Sequence, residues 1–197
     1  MEAPPTRPAG RPRNPELDAA ILAAAEQQLR EAGYAGMSME SVATVAGTTV
    51  PAVRRRFSSK ADLTVAVIDS LRVEGLPDGS GPPRVRALAI LRNFHANLLR
   101  ENSMAVVGTL LAEERRNPEV LAAFRTRLVE PRRTALRDTL AEGVGSGELP
   151  GSADPDVLAS MLIGAFYARY VATSDVPDDL AEQSLRHVWP DADGARP

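Results

Sequence analysis

The 197-residue chain contains no cysteine, two histidines and a single lysine, Lys60. Without cysteine, a disulfide framework and thiolate metal ligands are excluded. His95 and His187 lie far apart in the sequence and neither sits three residues from a carboxylate, so no metal site is expected. Long apolar runs are missing too: the longest uncharged stretch rich in apolar residues, Val157–Ala168, falls short of the roughly 20 residues a membrane span needs. No serine stands in a G-x-S-x-G context, and Gly143-Val144-Gly145-Ser146-Gly147 follows a helical pattern and leads into no Lys-Ser/Thr pair. That glycine run therefore reads as a helix end rather than a phosphate loop. No enzyme and no cofactor is expected. The N-terminal residues lack the charged-then-apolar order of a secretion signal, which makes the cytoplasm the expected location.

What is present is enough for a core, since 44% of residues are hydrophobic although only 4% are aromatic. A formal charge of -3 and a pI of about 5.5 would, for a uniform chain, argue against a polyanionic partner. The charge is not uniform. From Arg7 to Lys60 there are eight basic residues against five acidic ones. Seven of the eight fall in an N-terminal arm (Arg7, Arg11, Arg13) or in the run Arg54-Arg55-Arg56 with Lys60, whereas the acids lie between Glu16 and Glu40. The chain totals 23 basic and 26 acidic residues, so the remainder holds 15 and 21. A cationic segment thus rides on an acidic body.

Helical periodicity runs through the chain and no convincing period-two strand appears, so the expected class is all-α. Residues 1–13 are Pro, Arg and Gly with small residues, an expected flexible arm. Asn14-Pro15 caps a first helix carrying Leu17, Ile21, Leu22, Ala25 and Leu29, which Gly33 ends. Ser38 caps a short second helix, Gly47 supplies the exit, and a third helix runs from Val50 to Phe57 with Pro51 in its first turn. Ser58-Ser59 starts a fourth helix toward residue 73. Residues 14–73 thereby form a helix-turn-helix unit with a connecting helix. The stretch 74–83 reads as a linker. Residues 84–190 read as a second helical domain with segments at 84–100, 103–115, 119–143 (bent at Pro131 and ended by Gly143, Gly145 and Gly147), 154–173 and 177–189. Residues 191–197 read as a disordered tail.

Two short helices around a glycine turn, with arginines at the second and in the arm, suit DNA: the short helix enters the major groove and the arm reaches the minor groove. The run from Ser38 to Leu63 (SMESVATVAGTTVPAVRRRFSSKADL) resembles the N-terminal domain of TetR-family transcriptional regulators. The resemblance covers about fifty residues, 14–63, including Ala-Gly at the turn and Phe57-x-x-Lys60-x-x-Leu63 at the start of helix 4. It implies that Thr48, Thr49, Val50 and Pro51 lie at the leading end of the reading helix and that Lys60 contacts a phosphate. Ser38 and Thr49 can serve as N-caps and as phosphate donors. Where the family commonly has tyrosine this chain has Arg54, which can hold a phosphate or a guanine. Arg11, Arg13 and Arg55 complete the candidate DNA contacts. Val50 replaces a frequently polar position and suggests contact with a thymine methyl.

The second half resembles the family only generally, through Gly147-Glu148-Leu149 and the Asp154-Pro155 helix entry. A reading head this small implies a homodimer on a palindromic, double-stranded operator. The expected interface comprises Leu136, Leu140 and Val144 on one helix with Met161, Gly164, Ala165 and Ala168 on another, with the chain's own core as the alternative for each. The resemblance also implies a small-molecule inducer, mostly apolar with one polar handle. Candidate lining residues are Phe94, His95, Leu98, Met104, Leu111, Phe124, Phe166, Tyr167 and Tyr170, against the competing reading of each as plain core. The expected function is a ligand-released repressor. The alternative is an all-α small-molecule-binding protein or enzyme without DNA binding, which would need a polar catalytic cluster in the second half.

Overall fold

The computed structural model describes residues 14–71, 76–99 and 103–190. The expected arm with Arg7, Arg11 and Arg13, the expected tail and part of the expected linker lie outside them. All regular structure among the described residues is helical, as the periodicity predicts. Helix α1 spans Pro15–Gly36, α2 Met39–Val45, α3 Val50–Arg54 and α4 Lys60–Ser70. The second half contributes α5 (Pro83–Leu99), α6 (Ser103–Ala112), α7 (Pro118–Phe124), α8 (Glu130–Gly145), α9 (Pro155–Thr173) and α10 (Leu180–Val188).

Local chemistry sets these ends. The Asn14 carboxamide accepts from the N–H groups of Glu16 and Leu17, and the α1 backbone leaves helical geometry at Gly33, where φ is 69°. Between α2 and α3, Thr48 N–H donates to Ala43 O at 2.9 Å and Gly47 N–H to Thr44 O at 3.2 Å. That pair of bonds is a Schellman closure, and it requires the left-handed φ of 62° at Gly47. Helix α3 is shorter than the predicted Val50–Phe57. Arg56 and Phe57 both bond back to Val53 O, a tightening that turns Phe57 toward the core and lets Ser59 cap α4.

The predicted long helix with a bend at Pro131 is instead two helices joined by a π-helical turn, Arg125–Val129. Pro131 has no N–H to donate and its ring crowds the carbonyl of residue 127. Widening the turn just ahead, so that Glu130 N–H reaches back to Arg125 O, accommodates both defects. Gly143 differs from its predicted role as a terminator: α8 continues past it, and a Cβ there would lie 2.3 Å from Cη2 of Trp189. Its function is close packing against that indole.

Two cores result. The first unites α1–α4 with Val106 and Leu110 of α6 and Val120, Leu121 and Phe124 of α7. The second joins α5, α8, α9 and α10 around Leu91, Leu162, Phe166 and Trp189. Burying each such large side chain contributes about 1.5–3 kcal/mol. Leu136 and Leu140, expected at a dimer interface, are wholly buried in this second core, because α8 turns that face toward α5 and α9 of its own chain. The outward face of α9 is different: Val157, Met161 and Val171 are 53%, 60% and 79% exposed. Gly164, with open space beside it, and exposed Ala168 lie between them along the same stripe.

Candidate nucleic-acid interface and ligand cavity

The leading end of α3 is presented to solvent. Thr49, Pro51, Arg54 and Arg55 are exposed, Thr48 and Val50 half-buried, and Ala52 and Val53 anchor the inner face. Thr49 is the N-cap, its hydroxyl accepting from Ala52 N–H at 3.3 Å. Ser38 forms a reciprocal cap with Ser41: its hydroxyl accepts from Ser41 N–H, and Ser38 N–H donates to the Ser41 hydroxyl, both at 3.0 Å. Both expected capping roles are therefore filled.

The arginine run divides into three environments. Arg54 faces Glu40 across 3.8 Å, an exposed pair of the kind worth about 0–1 kcal/mol and readily exchanged for another anion. Arg55 is exposed, with no ion pair among the described residues. Arg56 is folded inward, paired with Asp18 of α1 and donating to Ala52 O at 3.1 Å. Its charge is neutralised at home, which reduces the cationic surface that counting alone suggested. Lys60 is also partly committed: Nζ donates to Tyr34 O at 2.7 Å and Met37 O at 3.1 Å, and lies 4.3 Å from the centre of the Tyr34 ring. It thereby caps carbonyls at the end of α1. Burial pushes the Tyr34 phenol up, reinforced by the Glu119 and Glu113 carboxylates.

A cavity of about 110 Å³ lies among α5, α6, α7, the π turn, α8 and α9, with Leu71 at the end of α4 also in its wall. Phe94, Leu98, Phe124 and Tyr167 line it, together with Asn97, Ser103 and Arg132. The guanidinium of Arg132 lies 5.5 Å from the centre of the Phe94 ring. Burial raises the Tyr167 phenol, while neighbouring Arg132 acts in the opposite direction.

Residues 21–67 match the family described as "Bacterial regulatory proteins, tetR family", and residues 76–188 match "Tetracyclin repressor-like, C-terminal domain". The chain belongs to the TetR family. It is 30% identical over 172 residues to the DNA-binding transcriptional repressor TetR of Mycobacteroides abscessus, which covers 86% of this chain and 80% of that one. It is 25% identical over 170 residues, 86% of each chain, to the uncharacterized HTH-type transcriptional regulator YdeS of Bacillus subtilis. Among solved structures, a HlyIIR variant superimposes with a TM-score of 0.73 at 18% identity, covering 90% of this chain and 99% of that one. AibR, solved with isovaleryl coenzyme A and operator DNA, gives 0.69 at 20% identity over 88% and 98%. These two similarities establish the shared fold.

This TetR-family chain is a DNA-binding transcriptional regulator rather than an enzyme. No helix among its described residues is long and apolar enough to cross a membrane. Of the candidate lining residues, His95 is buried against Phe166, ring centres 5.5 Å apart, and is absent from the cavity wall. Phe166 is wholly buried, edge-on to Phe94. Met104 and Tyr170 pack on the second core, and Leu111 is 54% exposed. Arg132 escaped the sequence reading. Two adjacent arginines follow Pro131 and only helix phase distinguishes them: Arg133 turns outward to Asp156 and Ser160, while Arg132 reaches the cavity. The π turn that sets this phase has no periodicity signature of its own.

Proposed function

We propose that this regulator is a ligand-released repressor that binds a palindromic operator as a homodimer. The observation that carries the reading is the cavity's position, bounded by helices of the second half and by Leu71 at the end of α4. A molecule filling that space interacts differently with a displaced α4 than with the present one, and differential affinity is what allows a ligand to shift an equilibrium. The shift changes the spacing of two reading heads and mismatches them to successive major grooves.

In this reading Thr48, Thr49, Val50 and Pro51 approach base edges, while Arg54, Arg55 and the Ser38 hydroxyl engage the backbone or a guanine, with Arg11 and Arg13 in the minor groove. Lys60, with two donors directed at carbonyls, retains a third ammonium proton for a phosphate. The partner copy packs on the α9 stripe of Val157, Met161, Gly164, Ala168 and Val171, with Ala165 and Val144 beside it. DNA as partner agrees with the expected cytoplasmic location. The experiment is a footprint on DNA flanking the protein's own gene, followed by a compound screen for release. Two symmetric protected half-sites, lost with an apolar compound, are expected. An asymmetric single-site footprint would remove the dimer reading, and a footprint insensitive to every compound would remove the ligand reading.

A further inference from the structure

Resting on the phosphate reading of Lys60 above, we infer that Tyr34 is a positioning residue for DNA binding, holding the Lys60 ammonium on its ring and carbonyl so that one proton is left for the DNA backbone. Three contacts fix the ammonium: Nζ donates to Tyr34 O at 2.7 Å and to Met37 O at 3.1 Å, and stands 4.3 Å from the centre of the Tyr34 ring. Tyr34 itself is 5% exposed and packed in the first core, and its N–H donates to the Thr109 hydroxyl at 2.9 Å. The cradle is thus anchored, while Lys60 is only half-buried. Met37 directly precedes Ser38, the neighbouring hydroxyl in the same reading.

Electrostatics explain why a cradle is needed. Lys60 is the first residue of α4, where the partial positive charge of the helix disfavours a cation. Two carbonyls at the end of α1 and the negative face of the ring offset that repulsion. Burial holds the Tyr34 phenol above its ordinary value, reinforced by the Glu119 and Glu113 carboxylates, so at neutral pH the ring is a neutral phenol whose face serves the ammonium. An untethered lysine loses rotamer freedom on reaching a phosphate, and one already held loses less. The ammonium also suits this place because its three donors diverge from one nitrogen, two for the carbonyls and one for a phosphate.

The test is a double-mutant cycle on a duplex selected from a random pool, read by fluorescence anisotropy across a salt series. Lys60→Met should weaken binding and flatten its salt dependence by about 0.9 per protomer. Tyr34→Leu should weaken binding by about threefold or more yet add less than about twofold to Lys60→Met, and Tyr34→Phe should bind as the unaltered protein does. A Tyr34→Leu loss equal in both backgrounds overturns the assignment, as does an equal loss in Tyr34→Phe. Unchanged affinity in Tyr34→Leu beside a weakened Lys60→Met overturns it and leaves the phosphate reading standing, whereas unchanged affinity and slope in Lys60→Met removes both. Because Lys60 is the sole lysine, its side-chain resonances give a second measurement on the unaltered protein, independent of whether Tyr34→Leu folds. Its ε-methylene protons should lie upfield of those of an unstructured lysine, shielded by the ring, and stay there when the duplex shifts the ammonium nitrogen. Loss of the upfield position on DNA binding would mean that Lys60 leaves Tyr34 to reach the phosphate, and would overturn the inference.

Discussion

The backbone N–H of Tyr34 donates to the side-chain hydroxyl of Thr109 at 2.9 Å, tying the end of α1 to α6. The contact depends on Gly33, whose φ is 69° and whose missing Cβ would stand 2.9 Å from the same hydroxyl. Helix α6 also lines the cavity through Ser103, Val106 and Val107, so the bond lies between ligand space and reading head. Thr109→Val keeps the side-chain shape but removes the acceptor and orphans a buried donor. Stability should fall by about 1–3 kcal/mol, read as a lower denaturation midpoint with unchanged slope. An unchanged midpoint would mean that water replaces the hydroxyl.

Adjacent arginines should behave differently on DNA. Arg55→Ala removes an exposed charge and should flatten the salt dependence of operator affinity by about 0.9 per protomer. Arg56→Ala breaks the Asp18 pair and should leave that slope nearly unchanged while lowering stability by about 1–3 kcal/mol. Fluorescence anisotropy across a salt series, paired with urea melts, separates the two. Equal slopes for the variants would contradict the division.

Much of this was legible in the sequence because capping and turn chemistry are local. Asn14, Ser38, Thr49 and Ser59 each cap the helix they precede, and the glycine at 47 marks the turn. What stayed hidden depended on phase or on distant partners. An apolar residue such as Leu136 reads alike whether it faces its own α5 or a second copy, and only packing decides. The inward turn of Arg56 depends on Asp18, 38 residues away, and the selection of Arg132 over Arg133 on a single π turn. His95 reads as a candidate lining residue because its neighbours are apolar, and some of them, Phe94 and Leu98, do line the cavity, yet its own ring packs against Phe166 and not in the wall.

Gly143 and Trp189 offer an internal probe, since Trp189 is the sole tryptophan and is 2% exposed. Gly143→Ala should push the indole from its site, with a cost of about 1–3 kcal/mol. A red-shifted emission and a lower melting temperature are expected. Unaltered emission would mean that α8 yields instead.

Two substitutions distinguish the α9 surface from the core beneath it. Met161→Glu should raise the dimer dissociation constant by about 30-fold or more with little loss of monomer stability, whereas Leu136→Ala should cost about 2–5 kcal/mol without specifically weakening assembly. Sedimentation equilibrium and denaturant melts read the two effects. A Met161→Glu protein that assembles normally would exclude the stripe from the interface.

On this reading a chain of net charge -3 meets DNA at the leading end of α3. Selection from a random duplex pool, followed by anisotropy titration of the selected site against a scrambled one, tests it most directly. A preference of about a thousandfold or more is expected at physiological salt, largely lost when Thr48, Thr49 and Arg55 are together replaced by alanine. Equal affinity for selected and scrambled DNA, or a preference that survives the triple replacement, would contradict it.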